Sequence, residues 1–211
     1  MPLRARALGK LREASLDKVI CLGKNYSEHA VEMKEALPEK PVLFLKPPSC
    51  HTEIKDGQTL RLPWERGEIH HECEVVLKLY KKNVIAITLG LDLTLRDLQK
   101  KLKAAGHPWE ISKSFKHSAL TLPFTAQRDF PHWREETFRF FVNGELRQEA
   151  SLMDALFSPD AAIHHADDFF PISDGDIVCT GTPKGVGPLK PGDEMGFEWG
   201  PIQAKIRLVE S

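Results

Sequence analysis

Apolar and polar positions alternate most clearly over residues 69–80, where Val75, Leu77 and Leu79 recur at every second place. That is the period of a strand with one face buried. Lys81-Lys82-Asn83 supplies a turn, and the apolar run over 84–91 predicts the returning strand, closed by Asp92. Shorter runs over 18–22, ending in Gly23, and over 42–45 predict two more strands. Pro47-Pro48 closes the second, because proline has no amide to donate to a ladder. Phe138–Val142 and residues 145–148 flank Asn143-Gly144, the pair that suits a type I′ turn, and predict a hairpin. Strand-like pieces over 177–180, Glu194–Trp199 and Ile202–Val209 follow, with a Gly/Pro-rich loop over 181–192.

Helical signals are fewer. Residues 27–37 read as a short helix stopped by Pro38, and 161–168 as another. Between them, Thr94 with Asp97 three positions on resembles a capping box, predicting a helix to about Ala105 that Gly106 and Pro108 stop. Residues 49–66 are rich in turn formers and read as hairpins and loops. Strands outnumber helices in a mixed order, which predicts an α+β class dominated by β-sheet.

Composition narrows the picture. The 211 residues suit a single domain over 18–211, preceded by a short arm over 1–17. Arg4, Arg6, Lys10 and Arg12 of that arm are interspersed with Glu13 and Asp17, unlike an acid-poor transit peptide. With 29 Lys and Arg against 30 Asp and Glu, the net charge of −1 draws the chain to neither nucleic acid nor an anionic membrane. No apolar stretch approaches the roughly 18 residues of a spanning helix, so a soluble, cytoplasmic protein is expected. Cys21, Cys50, Cys73 and Cys179 form no CxxC pair and are read as reduced thiols.

The candidate chemistry lies in carboxylates. Glu72 and Glu74 are two apart in a predicted strand, so both leave the same face with Cα atoms about 6.7 Å apart. With Asp92 at the end of the neighbouring strand they could hold Mg²⁺ or Mn²⁺ through oxygen; the plainer alternative is a solvated strand face with a helix-capping aspartate. Asp92, Arg96 and Gln99, spaced i, i+4 and i+7, could line one side of a helix start, where a guanidinium suits a carboxylate, or form an ordinary polar face. His29 and Glu32, spaced i and i+3, are a general-base dyad in outline or a simple helix pair. His70-His71 and His164-His165 are read as structural, since doublets point to opposite faces of a strand. Lys46 and Lys113 stand in apolar or hydroxyl-bearing surroundings where burial demands an anionic partner.

These segments together resemble the fumarylacetoacetate hydrolase superfamily, in particular its acylpyruvase and oxaloacetate decarboxylase branch. The resemblance runs from about Lys18 onward. It rests on Gly23-Lys24-Asn25-Tyr26 with His29 and Glu32, on the block from Pro41 to Pro47, and on His70-His71-Glu72-Cys73-Glu74. It rests equally on the block from Leu91 to Asp97, on Lys113-Ser114-Phe115, and on the block from Thr180 to Gly187. It implies a β-rich roll of mixed sheets with a few short helices, like the C-terminal domain of fumarylacetoacetase, and a homodimer. It implies Mg²⁺, or Mn²⁺, on Glu72, Glu74 and Asp92. His29, Glu32 and Lys113 become the catalytic candidates, with His29 and Glu32 on a lid that orders the base. Arg96, Gln99, Thr182 and Lys46 become the substrate-binding candidates.

The expected activity is hydrolysis of the C–C bond of acylpyruvates to pyruvate and a carboxylic acid. Decarboxylation or keto–enol conversion of oxaloacetate is the alternative on the same site, and a non-catalytic keto-acid binder the alternative of another class. One departure from the family pattern is the direct turn through Lys81-Lys82-Asn83, where relatives carry a short helix.

Overall fold

The computed structural model describes residues 15–32 and 36–210. Its elements begin with β1 Val19–Gly23, α1 Ser27–Glu32, β2 Val42–Lys46, β3 His51–Glu53, β4 Thr59–Arg61, β5 Ile69–His71, β6 Cys73–Tyr80 and β7 Asn83–Asp92. They continue with β8 Thr94–Leu95, α2 Arg96–Ala104, β9 Ala119–Thr121, β10 Thr125–Ala126, β11 Phe138–Val142, β12 Glu145–Ala150 and α3 Pro159–Asp167. The last are β13 Ile177–Cys179, β14 Gly187–Pro188, β15 Glu194–Trp199 and β16 Ile202–Val209.

The main sheet runs β2-β1-β13-β6-β7-β9-β3, with β10 also paired to β7. A second runs β12-β11-β15-β16-β4, and a third, small one runs β14-β5-β8. The pairs β1/β13, β3/β9 and β4/β16 are parallel and the remaining pairs antiparallel, so the sheets are mixed, as the β-rich reading expected.

The main sheet is covered on both faces, and this decides where the site lies. On one face Ile20, Leu77 and Leu89 join Phe140, Phe197 and Leu208 of the second sheet and Ile69 and Leu95 of the third in one large core. On the other, Val19, Cys21, Phe44, Val76, Ile177 and Cys179 form a smaller cluster. Side chains alternate across a strand, so residues two apart from Val76 share the smaller cluster's face. Glu74 is one of them. In the β6/β7 ladder Glu74 stands opposite Gly90, and Asp92 belongs to the same face of β7.

Several expectations need correction. Residues 69–80 are not one half-buried strand: the ladder breaks at Glu72, and both Val75 and Val76 are buried because a cluster covers each face. Residues 49–66 carry the short strands β3 and β4 as well as turns. Thr94 caps no helix. It lies in β8 opposite His70, and α2 starts at Arg96 with no side-chain cap. Residues 36–38 are not helical, so the expected helix over 27–37 is described only as Ser27–Glu32. Residues 33–35, and 1–14 of the expected arm, lie outside the described residues. The doublet His164-His165 is on α3, not on a strand. The remaining strands, the Asn143-Gly144 turn and the stop at Gly106 are where the sequence put them.

Candidate active site

The β6/β7 ladder carries Glu72 and Asp92 to adjacent places, with the Asp92 amide donating to the Glu72 carbonyl at 2.9 Å. Glu72, Glu74 and Asp92 are all buried, and one oxygen from each lies within 4.8 Å of the others. Three carboxylates this close repel strongly away from water, so the surrounding cations are structural requirements. Lys113 Nζ bridges Glu72 Oε2 and Asp92 Oδ2, each at 2.7 Å. Arg96 Nη2 donates to Glu72 Oε1 at 2.5 Å, and Thr94 Oγ1 to the same oxygen at 3.1 Å. Gly181 N donates to Glu74 Oε2 at 2.7 Å.

Protonation follows from this arrangement. Burial pushes the Glu74 carboxyl well above the usual carboxylate range, and the neighbouring Cys179, Asp92 and Glu72 push it the same way. Burial works against the charge of Lys113, but Asp92 and Glu72 outweigh it and raise its pKa. Lys113 is therefore an ammonium at neutral pH: a donor, not a base.

The oxygen-only donor set fits a hard divalent cation. Asp92 Oδ1 adds an independent sign of fit. It is buried and has no hydrogen bond among the described residues, although Lys46 Nζ is 2.5 Å away; the contact has the distance of an ion pair without the direction of a hydrogen bond. A cation bound among these oxygens would also offset the burial and the neighbouring negative charge that raise the Glu74 pKa.

A cavity of about 280 Å³ opens onto the carboxylates. Glu72, Asp92 and Lys113 line it together with Arg96, Gln99 and Thr182, and Phe44 and Trp109 add aromatic surface. Arg96 Nη1 donates to Gln99 Oε1 at 2.8 Å, while Arg96 Nε is buried with no partner among the described residues. That nitrogen is a donor in want of an acceptor. Thr182 Oγ1 donates to Cys73 O at 2.8 Å and accepts from Gln148 Nε2 at 2.7 Å, which fixes the Gly-rich loop against β6. Gly181 is required there. At φ +90° an added Cβ would come within 2.7 Å of the Cβ of Asn25, whose amide bonds Phe157 and Thr180.

The structure thus brings together Glu72, Glu74, Asp92, Arg96, Gln99, Lys113 and Thr182. It does not bring Lys46 to the cavity. Val19 faces Lys46 in the β1/β2 ladder, so the lysine points to the carboxylate face but lies fully buried. Its Nζ donates to Leu93 O at 3.2 Å and Ser118 O at 2.6 Å and lies beside Asp92, so it supports the aspartate from outside the cavity lining. Glu32 is also outside the cavity lining, its carboxylate accepting from Gly185 N at 3.2 Å. The side chain of His29 lies outside the described part of α1. Thr94 and Gln148 were missed. Thr94 carried a stronger local signal as a helix cap, and nothing local marks Gln148, which meets Cys73 and Thr182 only through the fold.

The fumarylacetoacetate (FAA) hydrolase C-terminal family model matches residues 18–207, so the chain belongs to this family. The chain is 38% identical over 199 residues to the oxaloacetate tautomerase YcgM of Escherichia coli, covering 89% of this chain and 90% of that protein. It is 35% identical to the human mitochondrial oxaloacetate tautomerase FAHD1, covering 84% of each. Among solved structures, fumarylpyruvate hydrolase from Pseudomonas aeruginosa in complex with Mn²⁺ and pyruvate is 31% identical, with a TM-score of 0.86 over 94% of this chain and 91% of that one. The chain is therefore an enzyme of this superfamily, with a buried acidic trio able to bind a metal.

Proposed function

We propose that the chain is a metal-dependent oxaloacetate tautomerase, interconverting the enol and keto forms of this 2-oxo dicarboxylate. The observation that carries the reading is the make-up of the cavity. Arg96 and the bridging Lys113 ammonium line it, Arg96 Nε has no hydrogen bond among the described residues, and Glu32 accepts from Gly185 outside the lining. Moving a proton between C3 and the C2 oxygen needs an anion site, a charge stabiliser and an acid–base group, but no activated water. The naming of the bacterial and human relatives supports the same choice over hydrolysis.

Glu72, Glu74 and Asp92 would hold Mg²⁺, or Mn²⁺, which would supply an electrophile to the 2-oxo carboxylate end of the substrate. Arg96 binds that carboxylate through its guanidinium, which Gln99 orients by accepting from Nη1. The Lys113 ammonium faces the negative charge that develops on the C2 oxygen and stabilises it as a hydrogen-bond donor. The Thr182 hydroxyl closes the same end. In this proposal His29 is the group that moves the C3 proton. The assembly proposed is a homodimer, and a monomer mass in sedimentation would remove that part.

A second reading, hydrolysis of acylpyruvates, has one observation in its favour: the Pseudomonas hydrolase of similar fold, in complex with Mn²⁺ and pyruvate. One experiment separates the readings. Enol-oxaloacetate and acetylpyruvate are followed by ultraviolet absorbance with Mg²⁺, and pyruvate is measured by a coupled enzyme. Fast loss of the enol without pyruvate is the expected result. Pyruvate from acetylpyruvate would move the assignment to hydrolysis, pyruvate from oxaloacetate to decarboxylation, and no rate on either substrate to a keto-acid binder.

A further inference from the structure

The Gly-rich loop borders two cavities. Thr182 lines the catalytic one, while Gly185 and Gly187 line a second, of about 320 Å³, with His71, Arg147, Lys190 and Asp193. His71 is 1% exposed and stands opposite Gly187 in the β5/β14 ladder. One of its nitrogens is accounted for, since Nδ1 lies 3.0 Å from Gln148 Oε1. The other, Nε2, has no hydrogen-bond partner among the described residues. It faces open space: a Cβ added to Gly187 would lie 3.4 Å from Nε2 and within 4 Å of nothing else there.

The neighbours of this imidazole place its proton. The Cys73 amide can only donate, and it bonds Gln148 Oε1 at 2.9 Å, so that atom is the amide oxygen. Gln148 Nε2 agrees, donating to Thr182 Oγ1 at 2.7 Å and to Pro183 O at 2.9 Å. His71 Nδ1 is therefore the nitrogen that donates. The ring is buried without a carboxylate partner and stays neutral, which leaves Nε2 with a lone pair toward the cavity. Such an acceptor calls for an occupant with a proton to share. Arg147 gives Nη2 to Glu145 at 2.8 Å, yet its charge still acts on the imidazole, and Lys190 adds a second cation to the lining. The Asp193 oxygens are already taken, Oδ1 by Asn143 Nδ2 at 2.8 Å and Oδ2 by Lys190 N at 2.7 Å.

We propose that this cavity is a second binding site, for a small oxyanion that carries its own hydroxyl group: hydrogen phosphate or a 2-hydroxycarboxylate. The hydroxyl donates to His71 Nε2, and Arg147 and Lys190 attract the negative charge. An anion without such a proton, sulfate for example, brings the charge but leaves Nε2 unsatisfied. The site shares no lining residue with the catalytic cavity and stands whether or not the tautomerase reading does.

The test follows His71 by nitrogen NMR in histidine-labelled, Mg²⁺-loaded protein at constant pH, its signals identified by their absence from His71→Gln. The free protein is expected to show a ring protonated at Nδ1. Phosphate or lactate is expected to move the Nε2 resonance saturably, while sulfate and propionate at equal ionic strength leave it in place. Movement with phosphate, or with lactate, upholds the site and tells which of the two chemistries fills it. Gly187→Ala, whose methyl occupies the space beside Nε2, is expected to abolish the response, and Arg147→Gln to weaken binding roughly tenfold. A ring protonated at Nε2 overturns the proposal, as does an equal response to sulfate or silence toward both phosphate and lactate. A full response in Gly187→Ala, or unchanged affinity in Arg147→Gln, overturns it as well.

Discussion

Lys46 shows how much one side chain can depend on the whole fold. Its ammonium is fully buried beside Asp92 Oδ1 and two backbone carbonyls, a position stable only because all three are there. Lys46→Met is expected to leave these oxygens without their cation and to cost about 3–5 kcal/mol, seen as a fall in Tm of about 10 °C. A Tm within about 2 °C of wild type would show that Lys46 does not support Asp92. The sequence made Lys46 conspicuous as a lysine in an apolar strand and required an anionic partner for it. The family resemblance placed the residue with the substrate, and its anionic partner, 46 positions away, is met only across the main sheet. Glu72, Glu74 and Asp92 were legible for the opposite reason. Strand period and a short return bring them together, so local spacing nearly equals spatial arrangement. Thr94 failed at the same scale: a hydroxyl before a helix is usually a cap, and here the Glu72 carboxylate claimed it.

Among elements, the β6/β7 hairpin was the most legible and is also the scaffold of the site. Its turn closes in two residues, Lys81 at φ 47° and Lys82 at φ 60°, with Tyr80 opposite Asn83. Both lysines occupy the left-handed region that a type I′ turn demands and that side chains with a Cβ resist. Replacing Lys81-Lys82 by Asn-Gly is expected to stabilise the protein by about 1 kcal/mol, raising Tm by roughly 2–4 °C. The exposed Lys82–Asp167 ion pair lost in the exchange offsets little of this. A lowered Tm would mean that the lysines contribute more than the turn strains. The short strands β3, β4, β8 and β14 were not legible as elements, since two or three residues carry no period and their pairing partners are distant in sequence.

For the whole molecule, the reading of a β-rich roll held because strand signals recur along the chain, but the burial of both sheet faces did not follow from period alone. Only the packing of the second sheet and the smaller cluster explains why Val75 and Val76, on opposite sides of β6, are both buried. Global stability also carries a titration signature away from the carboxylates. Burial lowers the pKa of His51 below its ordinary 6.5, while Nε2 stays 2.9 Å from Thr121 Oγ1. The unfolded chain then binds the proton first, so this contribution is complete above pH 6.5 and is lost as the pH falls below it. Chemical denaturation between pH 5 and 7.5 is expected to show a slope that His51→Gln reduces; an unchanged slope would place the titration elsewhere.

The central claim is that the buried carboxylates hold the cation on which enol–keto conversion of oxaloacetate depends. The measurement that reaches it most directly is the initial rate of enol-oxaloacetate loss as Mg²⁺ is titrated, for wild type and Glu72→Gln. A saturable rise with Mg²⁺ in the wild type, reduced by about a hundredfold or more in the variant, is the predicted result. A rate that ignores Mg²⁺ and EDTA, or that Glu72→Gln leaves intact, would contradict it.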